Sequence, residues 1–215
     1  MFISLLFLSG CGLEDLLYLN PPENPVAHPG DKTFTFYKTL ENSELEFRGF
    51  EIYYKFYTWD QYPESNITDR TKFEGMGFKR LSSASDKKDN ISRPLIFVPI
   101  LDRTTKDFTV TIEFESVPDH IITATASVPS QPIEVRRGVA YDASPYLDYF
   151  KHFDQATHSA FESSDADVSP EVWTAIEGID NIYLALYALS YGKKDLIEDV
   201  YSVPVYLGDI EVKFW

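Results

Sequence analysis

From Phe50 to Tyr57 the chain alternates without a fault. Phe50, Ile52, Tyr54 and Phe56 take one parity, and Glu51, Tyr53, Lys55 and Tyr57 the other. Aromatic and β-branched residues repeating with period two mark a β-strand with one buried face. A helix here would have to begin at Gly49 and carry a crowd of aromatics of poor helix propensity. We read a central strand with the Phe50 parity inward. Substitutions at Glu51 or Lys55, on the other parity, are then expected to cost no more than about 0.5 kcal/mol.

The same pattern recurs on both sides. Phe34 and Phe36 alternate with Thr35 and Tyr37, and the polar run Glu41-Asn42-Ser43-Glu44 leads to the central strand. An antiparallel hairpin is the economical expectation. Towards the C-terminus Ile182, Leu184, Leu186 and Ala188 alternate with Tyr183, Ala185, Tyr187 and Leu189, with a turn at Gly192-Lys193-Lys194-Asp195. Alanine and leucine would also suit a helix, but the tyrosines and the period-two order favour a strand. The runs Val200 to Tyr206 and Ile210 to Phe214 follow, and Pro204 marks an edge, where a missing N–H costs least.

Between these, the apolar run Leu95 to Ile100 reads as a strand buried on both faces. Phe108 to Phe114 alternates with Phe108, Val110, Ile112 and Phe114 inward, while Ile121 to Val128 and Ile133 to Val139 are weaker strands. Ser82 to Asn90 reads as an exposed loop. Helix is expected at Pro145 to Phe153 and after Ser169, where serine as N-cap and Pro170 as first residue form a start signal.

The first residues follow other rules. Phe2 to Leu8 is an apolar run far shorter than the ~20 residues a membrane-spanning helix needs, and it has the character of a secretory h-region. Leu8-Ser9-Gly10-Cys11 follows, using the chain's one cysteine. This resembles the lipobox of bacterial lipoproteins. The resemblance implies a signal peptide over residues 1–10, diacylglyceryl thioether and N-acyl modification of Cys11, and a palmitate-type anchor on the extracytoplasmic face of the cell envelope, since two or three chains hold stably. Nothing basic precedes Phe2, which implies either a start further upstream or a trimmed chain. The alternative is an ordinary helix from Phe2 to Tyr18 with a buried thiol, weakened by Gly10 and Gly12. Residues 11–32 read as a tether, because Pro21, Pro22, Pro25 and Pro29 hold the chain extended and keep it out of helix and ladder.

Gly49-Phe50-Glu51-Ile52-Tyr53-Tyr54-Lys55 after the turn at Glu44 resembles strand C of fibronectin type III domains, and Leu184 to Gly192 is similar to their strand F. The family's strand-B tryptophan is replaced by Phe34 and Phe36, and Ile182 stands where a strand-F tyrosine is usual. The resemblance implies a mainly β fold, an antiparallel sandwich of fibronectin III/immunoglobulin-like type over residues 33–215. Such a module needs about 100 residues, so an inserted β-rich segment with few short helices occupies roughly residues 60–180.

Composition narrows function by exclusion. The chain has 215 residues and a formal net charge of -15, which argues against nucleic acid and anionic lipid as partners. Its basic pairs, such as Lys79-Arg80 and Arg136-Arg137, never form a run. One cysteine allows no internal disulfide and no thiolate metal cluster. Gly-x-Ser-x-Gly and His-Glu-x-x-His motifs are absent, and Gly75-Met76-Gly77 lacks the third glycine of a dinucleotide loop. His28, His120, His152 and His158 share no ligand spacing. Asp154, Glu162, Asp165 and Asp167 crowd one loop but lack the pattern of a calcium loop, and a solvated acidic loop is the better reading. No cofactor and no metal is expected.

What remains is an aromatic surplus. Tyr53, Tyr57, Trp59 and Tyr62 fall on the outward parity of the central strand or just past it. Exposed aromatics of this kind recognise sugars or protein partners. Alternatively the insertion packs over them and makes a second core. We expect a membrane-anchored binding or structural module with a protein or carbohydrate ligand. The competing expectation is a carbohydrate-active or other hydrolytic accessory enzyme with its site in the insertion.

Overall fold

The computed structural model describes residues 19–39, 47–62, 65–80, 82–83, 96–97, 107–114, 121–126, 133–136, 163, 167–178, 180–194 and 198–212. Cys11 and the expected helix at Pro145 to Phe153 lie outside them. In chain order the strands are β1 (Glu23–His28), β2 (Thr33–Thr39), β3 (Phe47–Thr58), β4 (Lys79–Arg80), β5 (Ser82–Ser83), β6 (Ile96–Phe97), β7 (Asp107–Phe114), β8 (Ile121–Ala126), β9 (Ile133–Arg136), β10 (Ile182–Lys194), β11 (Glu198–Tyr201) and β12 (Val205–Val212). Helix α1 (Pro170–Glu177) precedes β10. The described chain is mainly antiparallel β in two sheets. One runs β1-β2-β7-β8-β9-β5, the other β11-β10-β3-β4, with β12 also on β10 and β6 also on β3.

The two sheets share a core. Phe34 and Phe36 of β2 and Val110 and Ile112 of β7 meet Phe50, Ile52, Tyr54 and Phe56 of β3 and Leu184, Leu186 and Ala188 of β10. The Phe36 and Phe50 rings cross edge to face at 5.0 Å. The inward parity expected for β3 is the one found. α1 begins where Ser169 accepts a hydrogen bond from the Val172 N–H at 3.3 Å and adds Val172 and Ala175 to this core. Tyr54 donates to Asp167 at 2.9 Å, tying the residues before α1 to β3.

The hairpin expected between β2 and β3 does not form. β2 is paired on both edges, by β1 and β7, and β3 is paired by β10 on one side and by β4 and β6 on the other. The chain therefore changes sheets between Thr39 and Phe47, and the phenylalanines of both strands reach the same core from opposite sides.

The proline-rich stretch also departs from expectation, since residues 23–28 are a strand. β1 is an edge strand, where a proline's missing donor is tolerated. Asn24, at φ +48°, and a register shift between Glu23 and Val26 mark a bulge that carries Pro25 out of the ladder. Leu19 is buried in the shared core, and the Asn20 carbonyl accepts from Lys38 Nζ at 3.1 Å and Ser190 Oγ at 2.7 Å. From Leu19 onward the expected tether is part of the folded unit. Ser82–Ser83, expected in a loop, pairs with β9.

The C-terminal edge is one strand broken in the middle. β11 and β12 both lie along the side of β10 that β3 leaves free, and Pro204 sits in the break between them. There Ser190 N–H donates to Ser202 Oγ at 2.9 Å and Ser202 N–H to the Ser190 carbonyl at 3.0 Å, which keeps the edge attached. Further on, Gly208 has φ +114°, and a Cβ there would lie 2.6 Å from the Ala27 Cβ. Only glycine allows β12 to approach β1 so closely.

The outward face of β3 is not outward. Ile67, Phe73 and Phe78 cover it, together with Tyr53 and Tyr57 of β3 and Ala185, Tyr187 and Leu189 of β10. The Tyr53 and Phe73 rings stack at 4.4 Å, and Phe73 and Phe78 each meet Tyr187 edge on, at 5.2 and 5.4 Å. Residues 65–80 thus form a second layer on the sheet, so β3 and β10 are buried on both faces.

Candidate functional site

The four aromatics singled out in the sequence part company. Tyr53 and Tyr57 belong to the second core, at 9% and 0% exposure, which removes them from any recognition surface. Trp59 and Tyr62 are 74% and 52% exposed. The cover explains the division, because it ends where β3 ends.

Glu51 shows how the covered face tolerates charge. Its carboxylate is almost fully buried and accepts from Arg70 Nε at 2.8 Å, Arg80 Nη1 at 3.3 Å and the Tyr53 hydroxyl at 3.0 Å. The Arg70 guanidinium lies 4.1 Å over the Tyr201 ring. Burial, with the Glu51 carboxylate beside it, pushes the Tyr53 pKa up. A buried carboxylate survives only when its oxygens are filled in this way. The cluster fastens residues 70–80 to the sheet.

Tyr62 turns away from Trp59. Its hydroxyl donates to Asp209 at 3.1 Å, and Tyr206 donates to the same oxygen at 2.7 Å. Tyr57 stacks on Tyr183 at 5.5 Å. Burial and the Asp209 carboxylate push the Tyr57 pKa up, although its hydroxyl has no acceptor in hydrogen-bonding geometry.

Trp59 opens a 3-10 turn, Trp59–Gln61, in which no side chain is buried. Thr58 Oγ1 donates to Asp60 Oδ1 at 2.6 Å, which fixes the start of that turn. α1 approaches from the other side and stops where Asp180 N–H donates to the Ala175 carbonyl at 2.8 Å, returning the chain to β10. Thr58, Trp59, Asp60, Glu171, Thr174, Ala175, Asp180, Asn181 and Tyr183 line the resulting open cleft of about 540 Å³. Small-molecule sites span roughly 300–1,000 Å³. The Trp59 ring stands 5.9 Å from Tyr183, tilted by 53°.

The cleft is acidic on every side. Asp60, Glu171 and Asp180 are exposed to solvent, and no lysine, arginine or histidine is among the lining residues. Hydrogen bonds from its own backbone N–H and from Ser169 hold the Glu171 carboxyl below its usual range. Its place in the first turn of α1 acts in the same sense. What the lining offers chemically is three carboxylates, two threonine hydroxyls, one amide and the rings of Trp59 and Tyr183.

Sequence reasoning found Trp59 and missed the rest of the lining. Asp60 adjoins Trp59 and the Ser169-Pro170 start signal announces α1, but nothing local says that α1 lies beside the end of β3. Of the other candidates, His28 lies 3.3 Å from Thr35 Oγ1 and Asp167 accepts from Tyr54. His120, His152, His158, Asp154, Glu162 and Asp165 lie outside the described residues. No group of three or more His, Cys, Asp or Glu that could hold a metal occurs among the described residues. Within the same residues, no helix is long and apolar enough to cross a membrane.

Fold and cleft define a class, a mainly antiparallel β protein with an acidic cleft beside an exposed tryptophan. Comparison with protein-family models, with curated proteins and with solved structures finds no match.

Proposed function

We propose that this protein is a lipid-anchored binding module on the extracytoplasmic face of the bacterial cell envelope, with the Trp59 cleft as its ligand site. The observation that carries the site is Trp59 itself. A free monomer gains nothing by holding a large apolar ring 74% exposed at the mouth of a cleft, and such rings are typical anchors for ligands.

Leu8-Ser9-Gly10-Cys11 supports the anchor. Because Leu19 is packed into the core, seven residues lie between it and Cys11, eight Cα steps that reach at most about 29 Å. The cleft would then work close to the membrane rather than at the end of a long stalk. The strand order supports an elaborated immunoglobulin- or fibronectin-like sandwich. β1-β2-β7 and β12-β10-β3 correspond to the A-B-E and G-F-C neighbours of that architecture, with the remaining strands as the insertion.

A hydrolytic role has one observation in its favour, the carboxylates gathered in the cleft. A glycosidase acid must stay protonated near neutrality, which takes an apolar pocket. Asp60, Glu171 and Asp180 are all exposed, and Glu171 is shifted the wrong way for an acid. Binding is the better account.

Two measurements test the proposal. Expressed behind a basic n-region, the protein should enter the detergent phase, and Cys11→Ser should return it to the aqueous phase. On a glycan array, spots bound by the wild-type domain should be lost with Trp59→Ala. A variant that still binds the same spots contradicts the site.

A further inference from the structure

Trp59 and the carboxylates sit in one cleft, and together they restrict the ligand more than either does alone. A tryptophan face takes a sugar ring or an organic cation equally well. Three carboxylates, with no basic side chain among the lining residues, favour a cationic ligand over a neutral one, and the net charge of -15 draws cations towards the surface from a distance. A hydrated metal ion would use the carboxylates but gain nothing from the indole. A lysine or arginine side chain would use both, yet it is a narrow rod entering an open cleft. Thr58, Thr174 and Asn181 add neutral polar groups to the lining, which suit a ligand rich in hydroxyls.

We infer that the cleft selects an amino sugar, a glycan ring whose unacetylated, protonated amine lies among Asp60, Glu171 and Asp180 while its apolar face rests on Trp59. The inference rests on the Trp59 cleft being the ligand site, and it goes further by naming the ligand's charge and class. Asp60 takes a bond from Thr58, and Glu171 is held by Ser169, Gln61 and its own backbone. An ammonium group with three donors can be shared among such acceptors.

The test is calorimetric titration with three probes at about pH 6, where such an amine is protonated. The probes are a β-1,4-linked glucosamine tetramer, its fully N-acetylated counterpart and tetralysine. The glucosamine tetramer should bind at least about tenfold more tightly than the other two, and raising the salt from about 0.05 to 0.5 M should weaken it. Asp60→Asn and Asp180→Asn should each weaken it about three- to tenfold. Asp31→Asn, which removes the same charge away from the cleft, should leave it unchanged.

Equal affinity for the acetylated tetramer would overturn the amine requirement and leave the Trp59 site standing. Tighter binding of tetralysine would overturn the sugar in favour of a basic peptide. No binding of any probe would overturn this inference alone. The site falls only if Trp59→Ala keeps the array binding of the wild type.

Discussion

Tyr53 and Tyr57 on β3, and Trp59 and Tyr62 just past its end, share a chemistry and differ almost completely in exposure. The first pair is 9% and 0% exposed, the second 74% and 52%. The strand itself does not explain this, because Tyr57 and Trp59 share a parity. The difference comes from what lies above. Residues 65–80 bring Ile67, Phe73 and Phe78 down over Tyr53 and Tyr57, and Arg70 and Arg80 fasten that layer to Glu51. Past Thr58 the cover stops and the chain turns out beside α1. An aromatic is structure where a second layer pays its desolvation, and it is available to a ligand where none does.

That comparison can be broken first by large-to-small changes on both faces of β3. Phe50→Ala removes a fully buried ring from the shared core, and Tyr57→Ala one from the second core. Each is expected to cost about 3–5 kcal/mol in denaturant unfolding. A loss under about 1 kcal/mol for Tyr57→Ala would mean that residues 65–80 do not pack there.

The buried and half-buried tyrosines also predict a response to alkali. Burial raises the pKa values of Tyr53, Tyr57, Tyr191, Tyr201 and Tyr206 above the ordinary 10.0. A group whose folded pKa is raised lends stability that is fully present below its unfolded pKa and is lost as pH climbs above it. Each tyrosine can therefore remove up to about 1.4 kcal/mol per pH unit above 10. Lys55 acts the other way, since burial lowers its pKa and the unfolded chain holds that proton longer. Five tyrosines against one lysine give a net fall of about 2–5 kcal/mol over the first unit above pH 10. Melting curves from pH 8 to about 11 would check it. A flat profile would show that these tyrosines reach water.

A smaller effect is expected at Glu51. Removing it takes the carboxylate away from Arg80, 17% exposed, and Arg70, 35% exposed. Water reaches both in part, so the cost should be about 1–3 kcal/mol rather than the full penalty of a buried unpaired charge. Urea unfolding of Glu51→Ala gives the number. A change within about 0.5 kcal/mol would return the outward face of β3 to solvent.

The sequence carried some of this and not the rest, for reasons that differ by residue. The inward parity of β3 and the start of α1 were legible because a strand's period and a Ser-Pro cap are local. The second core was not. Ile67 and Phe78 sit in irregular segments and Phe73 in the turn after a 3-10 helix, without a regular period, and Arg70 and Arg80 lie 19 and 29 residues from the carboxylate they meet. β1 was hidden by Pro25, because only the bulge at Asn24 makes a proline compatible with that edge. Of the cleft, Trp59 was legible as a large aromatic beyond a strand end. Asp180 and Asn181 became neighbours of Trp59 only through the packing of α1 against β3.

The most direct measurement is thermal unfolding of Trp59→Ala beside Tyr57→Ala, two aromatics of the same parity on either side of the cover's edge. Trp59→Ala should melt within about 1–2 °C of wild type, and Tyr57→Ala about 10 °C or more below it. If Trp59→Ala melts as low as Tyr57→Ala, the indole is part of the core and is not free for a ligand.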